Sequence, residues 1–190
     1  IRVVPDGWEL PPFSPGQFAV LGLPPEADRT ELADTDDHPA GSGKLIRRAY
    51  SIASSSKAKQ YLEFYITLVH SGALTPRLFN LKAGDRLWLG RKIAGAFTLD
   101  RAPADKGVIL IATGTGLAPY MSMLRTELAE AENRRFAVLL GARHSWDLVY
   151  QSELVTMDRL SQALTYRAII SRPAEEPVEW NGPAGYVQDL

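Results

Sequence analysis

The segment 48–54 reads Arg-Ala-Tyr-Ser-Ile-Ala-Ser and contains three side chains suited to holding a planar cofactor. In a β-strand successive side chains alternate between faces, so Arg48 and Tyr50 share one face and Ser51 lies on the other. An aromatic ring stacks on a flat heterocycle, a guanidinium binds phosphate, and a hydroxyl donates or accepts at the ring edge. The pattern favours a flavin site with Tyr50 and Ser51 at the reacting ring. An edge strand with a surface arginine and a half-buried tyrosine is the alternative.

A glycine-rich turn in the second half of the chain has the form of a phosphate-binding loop. The apolar run 107–112 predicts a strand buried on both faces, and residues 114–119 follow it as Gly-Thr-Gly-Leu-Ala-Pro. A strand, a glycine turn and a helix together place backbone N–H groups where a pyrophosphate binds. Gly114 and Gly116 allow close approach of the backbone, and Pro119 suits the first helical turn. The turn predicts a nicotinamide nucleotide site; a tight turn without a ligand is the alternative.

A second anion site is predicted at residues 72–78, which read Gly-Ala-Leu-Thr-Pro-Arg-Leu. Thr75 is expected to cap a helix over 75–81, with Pro76 at the first helical position. The start of this helix and the guanidinium of Arg48 would together bind one pyrophosphate. An ordinary capped helix without a ligand is the alternative.

The first hundred residues have the pattern of an antiparallel β domain. Short β-rich runs with one small helix indicate a barrel or sandwich, with strands at 17–23, 45–53, 61–69, 85–90 and 96–99. The polar segment 24–44 lacks periodicity, so we expect a long, mobile surface excursion there.

The second half alternates strands with helices. Strands are predicted at 107–112, 136–140 and 164–170, and helices at 117–131 and 148–160. This βαβ series predicts a parallel, doubly wound sheet. With the joint at 101–106, the predicted domains are 1–100 and 107–190.

Composition excludes several other classes of function. The net charge of the 190 residues is −1, whereas a nucleic-acid-binding domain is usually basic. No cysteine is present, which excludes disulfides, thiolate nucleophiles and iron–sulfur ligation and leads us to expect a reducing cytoplasm. The histidines are scattered and predict no metal site: His38, His70 and His144. No apolar run approaches the ~20 residues of a membrane span.

The three motifs, in this order, closely resemble those of the ferredoxin–NADP reductase family, and the bacterial branch is nearest. The resemblance implies a six-stranded antiparallel β-barrel that binds FAD, followed by a doubly wound α/β domain that binds NAD(P)H. It also implies that both termini are truncated, since family members begin with an earlier strand and continue past Leu190.

The resemblance also implies a role for each site residue. Arg48 would contact the FAD pyrophosphate, Tyr50 would stack on the isoalloxazine, and Ser51 would approach N5. The other implied FAD contacts are Leu68, Val69, Gly72, Leu74 and Thr75. The implied nicotinamide nucleotide contacts are Thr113, Gly114, Thr115 and Gly116.

The choice of nicotinamide nucleotide depends on charge after the second and third parallel strands. A carboxylate at this place accepts a hydrogen bond from the free 2′-hydroxyl of NADH and repels the 2′-phosphate of NADPH. An arginine at the same place attracts the 2′-phosphate. Arg143 and Arg172 are predicted to clamp the 2′-phosphate of NADPH, and Ser145 to add a hydrogen bond. Two solvated surface arginines are the alternative. The implied cofactors are FAD and NADP(H), with NAD(H) as the alternative nucleotide. In some bacterial relatives an arginine near the position of Tyr186 binds the 2′-phosphate. This sequence has no arginine there, and its absence weakens the NADPH prediction.

The function implied is a FAD-dependent reductase that passes electrons between NADPH and ferredoxin or flavodoxin, and we expect a monomer. One alternative is an NADH-dependent reductase component of an oxygenase system. Another is a non-catalytic nucleotide-binding module on the same fold, because fold alone does not determine function.

Overall fold

The structure, a computed structural model, describes residues 1–35, 43–131 and 134–190. His38 and the rest of 36–42, within the predicted polar excursion, lie outside the described residues. The chain divides into two compact units, Ile1–Thr98 and Leu99–Leu190.

The first unit is antiparallel. Its strands are β1 (Arg2–Val3), β2 (Phe18–Leu23), β3 (Ile46–Ser51), β4 (Leu62–Glu63) and β5 (Trp88–Leu89), with one short helix, α1 (Thr75–Leu78). β1 pairs with β4, and a three-stranded sheet has the order β3-β2-β5. The predicted strands at 17–23 and 45–53 are confirmed, with ends that differ by one or two residues.

A six-stranded barrel is not seen in the described part of this unit. The predicted strand 61–69 is reduced to β4 and one isolated bridge between Ile52 and Phe64. Beyond Phe64, the backbone N–H and carbonyl of Val69 bond to the hydroxyl of Thr75 and not to a neighbouring strand. The predicted strand 96–99 is also absent, and residue 99 begins a short 3-10 turn, Leu99–Arg101.

Strand alternation builds the core of the first unit. Ala19 and Leu21 of β2 are fully buried and pack with Ile52, Leu62 and Phe64. A second cluster joins the strands to α1 and contains Leu23, Ile46, Leu74 and Leu78. The β-sheet and α1 are therefore held together by apolar contacts from β2 and from β3, the strand that carries Arg48, Tyr50 and Ser51.

The second unit contains the predicted parallel sheet. Strands β6 (Val108–Thr113), β7 (Phe136–Ala142) and β8 (Leu164–Ile170) are parallel and adjacent in chain order. Helices α2 (Leu117–Glu127) and α3 (Gln151–Leu160) connect them. The buried stripe of α2 includes Leu117, Met121 and Leu124. The helix ends earlier than predicted, and a 3-10 turn, Leu128–Glu130, follows it.

The prediction that 107–112 is buried on both faces is wrong. Leu110 and Ala112 are buried, whereas Ile109 and Ile111 are 67% and 54% exposed. Right-handed crossovers that run in one direction along a sheet place their helices on one face. Both connections here follow the order β6-β7-β8. In the described residues the helices therefore cover one face of the sheet, and the other face is exposed. Within the described ranges, no helix is long and apolar enough to cross a membrane.

Candidate functional site

Strand β3 carries the three residues predicted to meet the flavin. Its register with β2 places Arg48 opposite Leu21 and Tyr50 opposite Ala19, so both side chains leave from the face that also forms the core. Tyr50 is half-buried and packs against both core clusters. Burial raises the pKa of Tyr50 above its usual value, although the positive charge of Arg48 acts in the opposite direction. The phenol is therefore neutral, and its ring is held by packing.

Arg48 is exposed, although its strand face is otherwise apolar. Its Nη1 donates to the carbonyl oxygen of Arg47 at 2.8 Å, and none of the described carboxylates pairs with it. Ser51, at the end of β3, is half-buried. This geometry suits both a flavin site and a ligand-free edge strand, because both interpretations of the segment predict it.

The predicted phosphate turn is closed by Thr75, but not as a helix cap. Leu74 is the N-cap of α1, and Thr75 is its first helical residue. The Thr75 hydroxyl donates to the Val69 carbonyl at 3.1 Å and accepts from the Val69 N–H at 3.0 Å. The prediction of Thr75 as N-cap is therefore wrong, because this hydroxyl instead ties the helix to the preceding extended segment.

Gly72 lies inside the same turn. A Cβ there would lie 3.0 Å from both the Thr75 hydroxyl and the Val69 carbonyl oxygen, a closer approach than packed atoms normally allow. Leu74 is buried, whereas Leu68 is half-buried and Val69 is exposed. The N–H groups of Ala73 and Leu74 have no acceptor in the described part of the chain. These donors, with the guanidinium of Arg48 in the same unit, fit the chemistry of a flavin pyrophosphate.

Two arginines that the sequence analysis did not identify organise this turn. Arg77 is buried, and its Nη1 donates to the Ala73 carbonyl at 2.6 Å. Its Nε and Nη2 both donate to the carbonyl of Pro25, at 3.1 and 2.6 Å. Arg29 donates to the Gly72 carbonyl at 3.1 Å. The beginning of the polar segment 24–44 is thus attached to the turn, contrary to the predicted excursion, and no local sequence signal indicates these partners.

The glycine loop of the second unit has the predicted strand–turn–helix form. Thr113 ends β6, residues Gly114–Gly116 form a 3-10 turn, and α2 begins at the next residue. Gly114 has a φ of +50°, which favours glycine, whereas a Cβ on Gly116 would have its nearest contact 3.8 Å away, at Ala112. Gly116 is therefore not required by packing within the chain. Thr113, Thr115 and Gly116 are exposed, as a backbone site for phosphate requires.

An ion pair fixes α2 against α3. Arg125 donates from Nε and Nη2 to the two carboxylate oxygens of Glu153 at 2.7 and 2.6 Å. The same guanidinium lies 4.9 Å from the ring centre of Tyr150, which has a φ of +64°. Bidentate pairing restrains both position and angle, so this contact holds the helix that begins at the glycine loop.

The three residues predicted to choose the nucleotide lie together after β7 and β8. The Arg172 N–H donates to the Arg143 carbonyl at 3.0 Å. Ser145, however, donates from its N–H and its hydroxyl to the carboxylate of Glu176, at 2.8 and 2.5 Å. Arg172 pairs with Glu175 at 3.3 Å. The sequence analysis missed these acids, although two adjacent glutamates after the third strand are visible in the sequence.

His144 joins the same group. Its Nε2 lies 2.9 Å from Glu175, its Nδ1 lies 3.3 Å from Asp147, and its ring stacks on Trp146 with centroids 4.3 Å apart. The hydrogen bond to Glu175 is the main reason that the pKa of His144 is raised, and the bond to His144 in turn lowers the pKa of Glu175. Asp147 belongs to this network through its contact with Nδ1 of His144.

Comparison with known families identifies both halves of the chain. Residues 37–91 match the model of the oxidoreductase FAD-binding domain, and residues 110–190 match that of the oxidoreductase NAD-binding domain. The β3 strand and the glycine loop each lie inside the corresponding match. The chain is therefore of the class of oxidoreductases built from a flavin-binding and a nicotinamide-nucleotide-binding domain.

Curated relatives narrow this class. The chain is 33% identical over 164 residues to the flavodoxin/ferredoxin–NADP reductase of Buchnera aphidicola. This match covers 86% of the chain and 59% of that protein. The enzyme of the same name from Escherichia coli is 33% identical over 162 residues, with coverage of 85% and 58%. The chain is thus similar to ferredoxin–NADP reductases over most of its own length, and it spans less than two thirds of the length of these relatives.

Solved structures share the fold. A ferredoxin NADP⁺ reductase from Neisseria gonorrhoeae, with bound FAD and NADP, has a TM-score of 0.74 at 20% identity. The superposition covers 97% of this chain and 65% of the Neisseria chain. A cytochrome P450 reductase from Amycolatopsis has a TM-score of 0.73 at 26% identity. The superposition covers all of this chain and 53% of the Amycolatopsis chain.

Proposed function

We propose that the protein exchanges electrons between NADPH and a one-electron carrier, ferredoxin or flavodoxin, through FAD. Residues 1–100 form the FAD-binding domain, and residues 107–190 form the domain that binds the nicotinamide nucleotide. The absence of cysteine fits a cytoplasmic location, and we propose a monomer.

The observation that carries the proposal is the turn at 69–75, where the N–H groups of Ala73 and Leu74 have no acceptor among the described residues. The same unit presents Arg48 and Tyr50 on one face of β3. Arg48 and the N–H groups of Ala73 and Leu74 bind the flavin pyrophosphate. Tyr50 covers one face of the ring, and its packing against the core holds it in place. Ser51 provides a hydrogen bond at N5, with Leu68 and Val69 along the ribityl chain.

In the second unit the glycine loop binds the nicotinamide nucleotide. Its exposed backbone and the start of α2 hold the pyrophosphate, because helix N-termini favour anions. Thr113 and Thr115 offer hydroxyl groups beside the loop. Bound FAD would supply the chemistry that converts a two-electron transfer from the nicotinamide into single-electron steps. Orientation and charge are the contributions of the protein.

An anaerobic titration of the full-length protein, reconstituted with FAD, tests this proposal. We expect NADPH to bleach the flavin absorbance, and a ferredoxin or flavodoxin to restore it. Arg48→Met should weaken FAD binding, with Arg86→Met, an exposed arginine of the same unit, as the control. A protein that stays colourless after reconstitution would contradict the proposal.

A second candidate is an NADH-dependent reductase component of an oxygenase system. It is favoured by the 26% identity to the Amycolatopsis cytochrome P450 reductase and by the pairing of Ser145 and Arg172 with glutamates. Turnover of a dye with NADPH and with NADH separates the two candidates. If Arg143 contacts a 2′-phosphate, Arg143→Ala lowers turnover with NADPH alone. Flavin that binds but is bleached by neither nucleotide would instead indicate a non-catalytic module.

A further inference from the structure

Two consecutive glutamates occupy the hydrogen-bond donors after β7 and β8. Glu176 accepts from both the N–H and the hydroxyl of Ser145, at 2.8 and 2.5 Å. Glu175 lies 2.9 Å from His144 and 3.3 Å from Arg172. A carboxylate held by two donors resembles an anionic ligand in charge and geometry. The chain thus places its own anions on donors suited to a phosphate.

The surrounding charge is nearly balanced by these acids. Among the described residues, Arg143 has no carboxylate partner, whereas the positive charge of Arg172 is paired with Glu175. Asp147 adds a third acid next to His144. An incoming dianion therefore meets one unpaired arginine and several carboxylates.

We propose that Glu176, supported by Glu175, is a specificity-determining residue that weakens the binding of 2′-phosphorylated adenine nucleotides at this site. The inference rests on the nucleotide-binding part of the proposed function, because it takes the ends of β7 and β8 as the place of the adenosine ribose. It favours the NADH-dependent candidate over the NADPH-dependent one. A 2′-phosphate must displace the Glu176 carboxylate from Ser145 or lie against it, and like charges at short distance repel. A free 2′-hydroxyl is neutral and donates a hydrogen bond to a carboxylate.

The test measures binding of two small probes to the full-length, FAD-loaded protein by calorimetry. The probes are adenosine 2′,5′-bisphosphate and 5′-AMP, which differ by the 2′-phosphate. Glu176→Gln removes the charge and keeps the shape, and Glu176→Ala also frees the donors of Ser145. Glu179→Gln is the matched control, because Glu179 is exposed and makes no hydrogen bond or ion pair with any described residue. Thermal melting of each variant confirms that it is folded.

Both Glu176 variants should bind the bisphosphate about tenfold more tightly than the unchanged protein, which corresponds to about 1.4 kcal/mol. Their affinity for 5′-AMP should not rise, because its 2′-hydroxyl loses a carboxylate acceptor, and both affinities of Glu179→Gln should stay within about twofold. Equal tightening for both probes, or the same gain in Glu179→Gln, overturns the inference and leaves the proposed function intact. So do unchanged affinities in the Glu176 variants. A FAD-loaded protein that binds neither probe in any variant overturns the inference together with the nucleotide-binding part of the proposed function.

Discussion

Arg77 donates two hydrogen bonds to the carbonyl oxygen of Pro25, a residue 52 positions earlier in the chain, with Nε–O and Nη2–O distances of 3.1 and 2.6 Å. The same buried guanidinium also holds the carbonyl of Ala73, inside the predicted phosphate turn. One arginine therefore connects the start of the polar segment 24–44 with the turn expected to bind the flavin pyrophosphate. Its planar fork makes three contacts that a single ammonium cannot reproduce.

Arg77→Lys should therefore destabilise the first unit. The lysine keeps the charge but leaves partly buried carbonyl oxygens without donors, at a cost of about 1 kcal/mol or more. Urea unfolding followed by circular dichroism measures the change. Arg86→Lys is the control, because the side chain of Arg86 is 87% exposed. Equal unfolding midpoints for the two variants would contradict the structural role of Arg77.

The ring of Tyr50 should contribute to flavin affinity independently of its hydroxyl. Tyr50→Phe keeps the stacking surface and should bind FAD within about threefold of the unchanged protein, whereas Tyr50→Ala should weaken binding about tenfold or more. Quenching of flavin fluorescence measures both affinities. Tyr61→Ala, a half-buried tyrosine outside the predicted site, serves as the control. Unimpaired binding by Tyr50→Ala would exclude stacking on this ring.

The buried hydroxyl of Tyr166 should be a source of instability. Within the described residues it has no hydrogen-bond partner, and a buried unsatisfied polar group costs about 1 kcal/mol or more. Tyr166→Phe should therefore raise the free energy of unfolding at neutral pH by roughly that amount. Chemical denaturation measures it, and Tyr186→Phe, at an exposed tyrosine, should have no such effect.

The same residue predicts an alkaline pH dependence. Burial raises the pKa of Tyr166 from 10.0 to about 12. Because the pKa is higher in the folded state than in the unfolded state, the hydroxyl ionises first in the unfolded chain. The free energy of unfolding is therefore unaffected by this ionisation below pH 10 and falls as the pH rises toward 12. The advantage of Tyr166→Phe over the unchanged protein should grow by up to roughly 3 kcal/mol across this interval. A constant difference between the two proteins would show that the hydroxyl ionises normally.

The His144–Glu175 contact should be visible in the titration of the imidazole. Its pKa is raised above 6.5, mainly by the hydrogen bond to Glu175, and that of Glu175 is lowered below 4.5. The stabilisation from His144 is therefore fully present below pH 6.5 and lost as the pH rises through its folded-state pKa, whereas that from Glu175 is present above pH 4.5 and lost on acidification. NMR of the ring protons, assigned with His144→Asn, should show a lower pKa in Glu175→Gln. An unchanged value would mean that the bond does not form in solution.

Local patterns were sufficient for the elements that carry the site. The alternation around Tyr50 predicted a strand, and the apolar run before Gly114 predicted a strand, a turn and a helix, because periodicity and glycine conformation act over a few residues. The alternation of strands and helices along the second half predicted the parallel sheet, because βαβ units place consecutive strands parallel. The grouping of Arg143, Ser145 and Arg172 also followed, since the carboxyl ends of adjacent parallel strands lie at one edge.

Tertiary structure alone decided which partners these residues have. Glu176 binds Ser145 across 31 positions, and Arg77 binds Pro25 across 52, and no local periodicity encodes contacts of that separation. The exposure of Ile109 and Ile111 depends on which face the crossovers cover, although the residues themselves are apolar. The sequence therefore determined the elements and the residue types at the site, whereas long-range packing decided which donors are paired and which face of the sheet is covered.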